Sequence, residues 1–255
     1  MKLKNKVTVI TGGNSGIGLG IAMAFQSEGA VGAIVGRNQA TLDRSIAALG
    51  DHFIGISADV TKMEDLDRIF RDTSGKFGKI DNLVVNAGGA VEGVKMGSVA
   101  VISEAEYDQY MNLNLKSVYF TVQKALPYMK DGGTIVLIGS ISGHRAFPGQ
   151  STYAAAKAAV ISFARGFSLD LLDRNIRVNV LSPGTIDTPV FDKFLPAEQV
   201  EHVKDLWTDL IPIGRIGQPS DIGKAAVFLA SDESSFVVGT EIIADGGVIN
   251  ITALK

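Results

Sequence analysis

The chain of 255 residues contains no cysteine. That excludes disulfides, thiol nucleophiles and zinc–thiolate sites, and it fits a reducing compartment. Histidine is scarce, and His52, His144 and His202 show no ligand spacing, so no metal is expected. Charge is sparse at 20 %, with a net charge of −3 and the Lys and Arg residues scattered rather than gathered in a stripe. Nucleic acid and an anionic membrane surface are therefore not expected as partners. Long apolar runs are also missing. The stretch Val7–Ile10 behind Met1-Lys2-Leu3-Lys4-Asn5-Lys6 is too short for a signal-peptide core, and the other apolar stretches are strand-sized. Neither a leader nor a membrane span is expected, and the location is read as cytoplasmic. No repeat, low-complexity tract or linker divides the chain.

What is present is a 46 % apolar composition, enough for the core of one α/β domain spanning residues 1–255. Short β-branched runs alternate with amphipathic segments. The runs are Val7–Ile10, Val31–Val35, Phe53–Ile56, Leu83–Val85, Thr134–Ile138, Arg177–Leu181 and Glu241–Ala244. They are nearly continuous in Val, Ile and Leu, as strands are when helices cover both faces of a sheet. Helical patterns cover Ile17–Ser27, Ala40–Leu49, Met63–Phe77 with Thr61 as N-cap, a long stretch from Ser103 to Met129, Ser151–Leu172, and a last one opened by Ser220-Asp221 and ending at Ala230. The order predicts a doubly wound Rossmann sheet of about seven parallel strands with right-handed crossovers. Two stretches are off-pattern. Residues 89–102 read as a loop. Residues 189–213, with Phe191, Phe194, Leu195, Trp207 and Leu210 among charges, read as one or two inserted amphipathic helices, either a substrate lid or ordinary packing helices.

The glycine run Thr11-Gly12-Gly13-Asn14-Ser15-Gly16-Ile17-Gly18 follows the first strand and opens the first helix. Glycines there let the backbone approach a pyrophosphate, and a helix N-terminus offers free N–H groups. A plain strand-to-helix turn would use glycine too, but the position in a β-α-β unit favours the dinucleotide. The second strand ends Val35-Gly36-Arg37-Asn38, without the acid that would bind a ribose 2′-hydroxyl. Arg37 can instead pair with a 2′-phosphate. NADP(H) is therefore the preferred cofactor. Ser15 supplies no second cation and Arg37 could simply be a solvated surface residue, so NAD(H) stays as the alternative.

Tyr153 and Lys157 are one helical turn apart, which puts phenol and ammonium on one face. A nearby cation lowers a phenol pKa, and a phenol tuned toward neutrality exchanges protons with a carbonyl or alcohol oxygen. Ser140 ends the fifth strand, where ligands of such sheets bind, and could hydrogen-bond the substrate oxygen; Ser142 is the weaker candidate. Asn114 lies inside a predicted helix, where it can relay a proton through water or satisfy a backbone carbonyl.

In order along the whole chain, these residues resemble the short-chain dehydrogenase/reductase family. Thr11–Gly18 looks like its cofactor loop, with Gly12, Asn14, Ser15, Gly16, Ile17 and Gly18 at the phosphates. Asp59 and Val60 look like its adenine contact. Val85-Asn86-Ala87-Gly88 looks like its Asn-Asn-Ala-Gly motif with Val85 in the first place. Asn114-Leu115-Lys116-Ser117 matches its helical Asn motif, and Ser140 stands thirteen residues before Tyr153 as in the family. Pro183-Gly184-Thr185-Ile186-Asp187-Thr188 resembles its nicotinamide loop, and Gly217–Ile222 and Asp245-Gly246-Gly247 match its C-terminal half. The resemblance implies cofactor contacts from Arg37, Asn38, Asn86, Ala87, Gly88, Pro183, Gly184, Ile186 and Thr188 besides those just named. It implies that Tyr153 is the acid/base and that Ser140 orients the substrate oxygen. Lys157 would bind the nicotinamide ribose and depress the Tyr153 pKa, and Asn114 would hold a water linking Lys157 to solvent. Hydride would pass directly between nicotinamide and substrate carbon, without a metal. A homotetramer packed through the two long helices, with help from the apolar tail Val248–Leu254, is also implied.

The expected reaction is reversible reduction of a ketone or aldehyde to an alcohol. A pocket formed by residues 89–94, 142–147 and 185–195 is mostly apolar, which favours a hydrophobic ketone over a sugar. His144 falls near it, as a pocket residue or a bland surface one. A 3-oxoacyl-carrier-protein reductase is the close rival, although Gly89-Ala90-Val91-Glu92 lacks a Thr-Arg-Asp run and no basic docking patch is visible. A non-catalytic dinucleotide sensor would be expected to lack Tyr153 or Lys157, and a sugar-nucleotide epimerase would be longer.

Overall fold

The computed structural model describes residues 1–91, 93, 94, 97–189 and 196–252. Seven strands form one sheet: β1 (Val7–Thr11), β2 (Val31–Gly36), β3 (Phe53–Ser57), β4 (Ile80–Val85), β5 (Met129–Ile138), β6 (Arg177–Pro183) and β7 (Glu241–Ala244). Their order is β3-β2-β1-β4-β5-β6-β7, and every neighbouring pair is parallel. The helices are α1 (Gly16–Ser27), α2 (Gln39–Leu49), α3 (Met63–Phe77), α4 (Glu104–Met111), α5 (Ser117–Ala125), α6 (Ser151–Asp170), α7 (Ala197–Leu210) and α8 (Pro219–Ala230). The doubly wound architecture expected from the alternation is the one found.

The period of two along each strand sorts the core into two halves. Val9, Val35, Leu83, Leu137 and Val180 point to one face and meet α3, α5 and α6 through Phe70, Val122 and Val160. Ile10, Ile34, Val84, Val136 and Leu181 point to the other and meet α1, α2 and α8 through Phe25, Leu42 and Ala226. Both faces are dry, which is why these strands read as unbroken apolar runs. The chain reverses direction across the sheet between β1 and β4. Ligands of such sheets sit outside the strand C-termini at that switch point.

Several boundaries differ from the sequence reading. Thr61 does not cap α3: the N-cap is Lys62, while the Thr61 hydroxyl donates to Asp59 at 2.7 Å. An aspartate two residues upstream outcompeted the helix start for that hydroxyl. The stretch from 103 to 129 is not one helix. Ser103 opens it with a full capping box, but Asn112–Lys116 form a π-helical turn between α4 and α5. Met129 already belongs to β5, which begins five residues before the expected Thr134, with Met129 pairing to Ile80. Helix α6 ends at Asp170, and Leu172 starts a separate short turn. Helix α8 begins one residue early, with Pro219 in its first turn, where the missing N–H costs nothing. In the off-pattern stretch 189–213 the described part is the single helix α7, followed by an irregular turn; Phe191, Phe194 and Leu195 lie outside the described residues. Among the described residues no helix is long and apolar enough to cross a membrane.

Candidate active site

The glycine loop turns at the end of β1 and ends in the first turn of α1. Gly12 has φ +64°, a left-handed conformation that a side chain would strain, and a Cβ there would stand 2.8 Å from Asn86 Nδ2. At Gly18 a Cβ would overlap the Gly12 carbonyl oxygen. Only bare backbone fits between loop and helix. Ser15, the N-cap of α1, makes no side-chain cap, and no acid stands in the first turn. The helix start therefore keeps its N–H groups and its positive end for an outside acceptor. These features fit a pyrophosphate.

Neighbouring segments brace this cradle. Asn14 donates to Thr41 Oγ1 at 2.5 Å and rests against Gly36. Thr11 Oγ1 accepts from the backbone N–H groups of Asn86 and Ala87, both at 3.1 Å. Asn86 Nδ2 donates to the Thr11 and Gly12 carbonyls at 3.0 and 3.1 Å. Asn86 is thus a brace between β4 and the loop. Asn38 accepts from Thr41 N at 3.0 Å, so its side-chain oxygen is spent as the N-cap of α2. Arg37 is exposed just beyond β2. Asp59 folds its own turn by accepting from the Thr61 amide and hydroxyl, and Val60 beside it is buried. On the far side, Gly184 N donates to Ala244 O, and Ile186 bridges to Gly217. Thr188 reaches back over the glycine loop, where a Cβ on Gly16 would be 3.2 Å from its Cγ2.

The fold brings Ser140, Tyr153, Lys157 and Asn114 to one place. Ser140 follows β5, and its Oγ accepts from Ser142 N at 3.1 Å. Tyr153 and Lys157 share a face of α6, with Lys157 Nζ 5.7 Å from the Tyr153 ring centroid. Lys157 is buried and donates to the Ile138 carbonyl at 2.8 Å. Asn114 is fully buried in the π turn. Its Oδ1 accepts from Gly89 N at 2.6 Å, and its Nδ2 donates to Gly89 O and Tyr110 O. The amide therefore clamps the Gly88-Gly89 segment to the helix, and its Nδ2 donates to backbone carbonyls. The extra residue of the π turn accompanies that clamp, as insertions into the helical ladder often do at functional sites.

A cavity of about 240 Å³ opens in front of Ser140 and Tyr153. Of the expected wall segments, Gly89, Ala90, Ser142, Phe147, Thr185, Ile186 and Thr188 line it. Ile17 of the glycine loop and Trp207 line it as well, and so do Tyr110 and Gln150, to which no spacing rule pointed. His144 does not line it: its Nε2 lies 2.8 Å from a Glu241 carboxylate oxygen. Val248 of the apolar tail packs inward with Ile141, Ile211 and Ile216, and Leu254 lies outside the described residues.

Comparison with known proteins decides the family. The family described as Enoyl-(Acyl carrier protein) reductase matches residues 12–249. The chain is 37 % identical over 255 residues to the 3-oxoacyl-[acyl-carrier-protein] reductase FabG of Thermotoga maritima, covering 98 % of this chain and 100 % of that one. It is 37 % identical over 256 residues to 2-(S)-hydroxypropyl-CoM dehydrogenase 3 of Xanthobacter autotrophicus, covering 98 % and 99 %. A crystal structure of a short-chain dehydrogenase/reductase from Brucella melitensis, titled glucose/ribitol dehydrogenase, superimposes with a TM-score of 0.89 at 31 % identity over 99 % of both chains. The chain belongs to the short-chain dehydrogenase/reductase family. It is an oxidoreductase of the short-chain alcohol dehydrogenase or reductase type, and membership implies a nicotinamide dinucleotide as cofactor.

Within this short-chain dehydrogenase/reductase, burial dominates the electrostatics of the Tyr–Lys pair. The Tyr153 side chain lines the cavity and is half-buried by the surrounding protein. That burial raises its pKa above the usual tyrosine value, and only the facing Ser140 hydroxyl opposes the rise. The sequence reading had Lys157 lowering it. Instead burial pushes Lys157 itself down to about 8, because a charged ammonium is poorly solvated there. The sign of the consequence follows. Between pH 8 and the ordinary lysine value of 10.5, the unfolded chain binds a proton that the folded chain does not. Stability linked to Lys157 is lowest below pH 8 and recovers as pH rises through that window. Relative to Lys157→Met, the wild type should gain about 3 kcal/mol at most across the window. Urea midpoints of both proteins at pH 7.5, 8.5, 9.5 and 10 measure it; a constant difference would mean that burial does not penalise the charge.

Proposed function

We propose that the protein moves a hydride reversibly between NADP(H) and a ketone, aldehyde or secondary alcohol, with Tyr153 exchanging the proton at the substrate oxygen. One observation carries the reading: Ser140 and Tyr153 face the same cavity as the Gly184–Thr188 loop, with Lys157 directly beneath the tyrosine ring. When bound, the nicotinamide ring supplies the carbon that gives or takes the hydride. Ser140 donates to the substrate oxygen and holds it against the phenol. Lys157 faces the ribose and brings positive charge to a developing phenolate. Asn114 keeps Gly88 and Gly89 in place beside both groups. Gly12–Gly18 and the start of α1 receive the pyrophosphate, and Asp59, Val60 and the Asn86–Gly88 backbone flank the adenosine half. Pro183, Gly184, Ile186 and Thr188 flank the nicotinamide. The preference for the 2′-phosphate rests on Arg37 and on the absence of an acid beside it. Helix α7 serves as a lid, tied down by Lys204 to Asp187 at 2.9 Å and by Trp207 against Phe147 with ring centroids 5.8 Å apart. A homotetramer packed through the α4–α5 stretch and α6 completes the reading.

Oxidation of NADPH and NADH against ketones, 3-oxoesters and sugars tests the reaction class. Turnover of none of them would overturn it. Arg37→Glu should lower the NADPH-to-NADH ratio of kcat/KM by at least tenfold, about one charge-assisted hydrogen bond lost and one repulsion gained. An unchanged ratio would remove Arg37 from the 2′-phosphate. A second reading, reduction of 3-oxoacyl groups on a carrier protein, is favoured by the similarity to the Thermotoga maritima reductase. It predicts that a carrier-bound 3-oxoacyl chain is turned over far faster than the free oxoester.

A further inference from the structure

The cavity wall is mostly apolar: Ile17, Ile141, Phe147, Ile186 and Trp207 all contribute. Gln150 interrupts it. Gln150 is the N-cap residue of α6, yet its side chain makes no cap hydrogen bond. The helix start uses only its backbone, with the Gln150 carbonyl accepting from Ala154 N at 2.7 Å. Its side chain is instead held from outside the helix. Ser142, itself buried, donates its hydroxyl to Gln150 Oε1 at 2.8 Å. That bond takes the carbonyl end of the amide and leaves the NH₂ end, with two donors and no acceptor among the described residues. A long polar side chain that caps nothing, fixed by a buried serine and lining the cavity of Ser140 and Tyr153, is a directed donor. Gln150 is half-buried, so a ligand filling the cavity strips solvent from that NH₂ group; leaving it unmet is then costly, and such a wall selects ligands that carry an acceptor.

We propose that Gln150 is a specificity-determining residue that donates its amide NH₂ to a second oxygen of the substrate, an uncharged carbonyl or ester oxygen apart from the one being reduced. The inference rests on the reductase reading above and names its substrate class: apolar oxo-esters and diketones rather than simple ketones. The donor is neutral, and no described residue on the cavity wall carries a charge. An uncharged acceptor therefore suits the site better than a carboxylate, which would be desolvated without a counter-ion.

The test uses the full chain with ethyl pyruvate, ethyl acetoacetate and ethyl levulinate, which place the second oxygen at three distances. The comparators are 2-heptanone, which lacks it, and acetoacetate, which charges it. The wild type should favour at least one ester over 2-heptanone by tenfold or more in kcat/KM, and over acetoacetate as well. Gln150→Met, close in size without the donor, should reduce the ester-to-ketone ratio at least tenfold. Ser142→Ala leaves the amide in place but unheld, and should reduce that ratio several-fold. It also carries the test if Gln150→Met fails to fold. An ester preference that survives both substitutions, or a wild-type preference for 2-heptanone or acetoacetate, overturns the inference. Calorimetric titration of the same esters into the NADP⁺-loaded protein separates it from the reductase reading. Ester binding weakened at least tenfold by Gln150→Met in a protein that reduces no ketone would leave the subsite standing and overturn the reaction. No ester binding to the wild type would overturn the subsite whatever the turnover.

Discussion

Tyr153→Phe is expected to lower kcat by about a thousandfold while leaving the dinucleotide dissociation constant within threefold. The magnitude is that of one general acid–base group removed from the transition state. The substitution deletes a single oxygen at a position whose ring stays packed on α6, so the fold and the cofactor cradle keep their contacts. What disappears is the proton that a forming alkoxide needs, and Ser140 alone cannot replace it, because a serine hydroxyl is far too weak an acid to give up its proton near neutrality. Fluorescence titration with NADPH beside steady-state rates separates binding from chemistry. A variant that keeps more than a tenth of the wild-type kcat would remove Tyr153 from the acid/base role. A variant that loses cofactor binding in parallel would instead make it a binding residue.

Gly18→Ala is expected to weaken dinucleotide binding at least a hundredfold and to destabilise the protein by roughly 3 kcal/mol. The added Cβ has nowhere to go. It would overlap the Gly12 carbonyl oxygen, which is backbone, and stand 2.5 Å from Asn86 Nδ2, a side-chain amide held in place by its bonds to the Thr11 and Gly12 carbonyls. Overpacking of this kind typically costs 1–3 kcal/mol. Relief requires the start of α1 to move away from the loop, which misdirects the N–H groups meant for the pyrophosphate. Two charge-assisted hydrogen bonds lost correspond to about a hundredfold or more in affinity. Thermal melts and NADPH titration read the two effects. A wild-type melting temperature together with an unchanged dissociation constant would mean that the loop tolerates a side chain, and that the cradle is not built on this close approach.

Much of the architecture was legible because it follows from periodicity. Val9, Leu83 and Leu137 go to one face of the sheet, and Ile10, Val84 and Val136 to the other, by strand geometry alone. Both faces being apolar in sequence already required helices on both sides. What periodicity missed was decided by competition between local bonds. Thr61 had the sequence of an N-cap but found Asp59 nearer. The break at Asn112–Lys116 left no mark in the apolar pattern, because the Asn114 amide is drawn to Gly89, twenty-five residues upstream. Strand β5 began early because Met129 met Ile80 on a neighbouring strand.

The candidate site divides the same way. The glycine run, Ser140 thirteen residues before Tyr153, and Lys157 one turn further were readable from spacing, and they were enough to recognise the family. The Tyr110 ring and Gln150 on the cavity wall were not, since each belongs to a helix whose own pattern is ordinary. The Tyr110 hydroxyl is buried there, and no described group is hydrogen-bonded to it. The direction of the pKa shifts also escaped the sequence. Spacing says that an ammonium lies near a phenol, which argues for a lowered tyrosine. Only the tertiary structure sets how much water each group keeps. Here burial sets the direction for both groups, raising Tyr153 and bringing Lys157 down to about 8. The sequence by itself determined which chemistry this chain carries and on which fold. Burial, the Asn114 clamp and the held amide of Gln150 were decided in three dimensions, because desolvation and hydrogen-bond competition depend on neighbours that are distant along the chain.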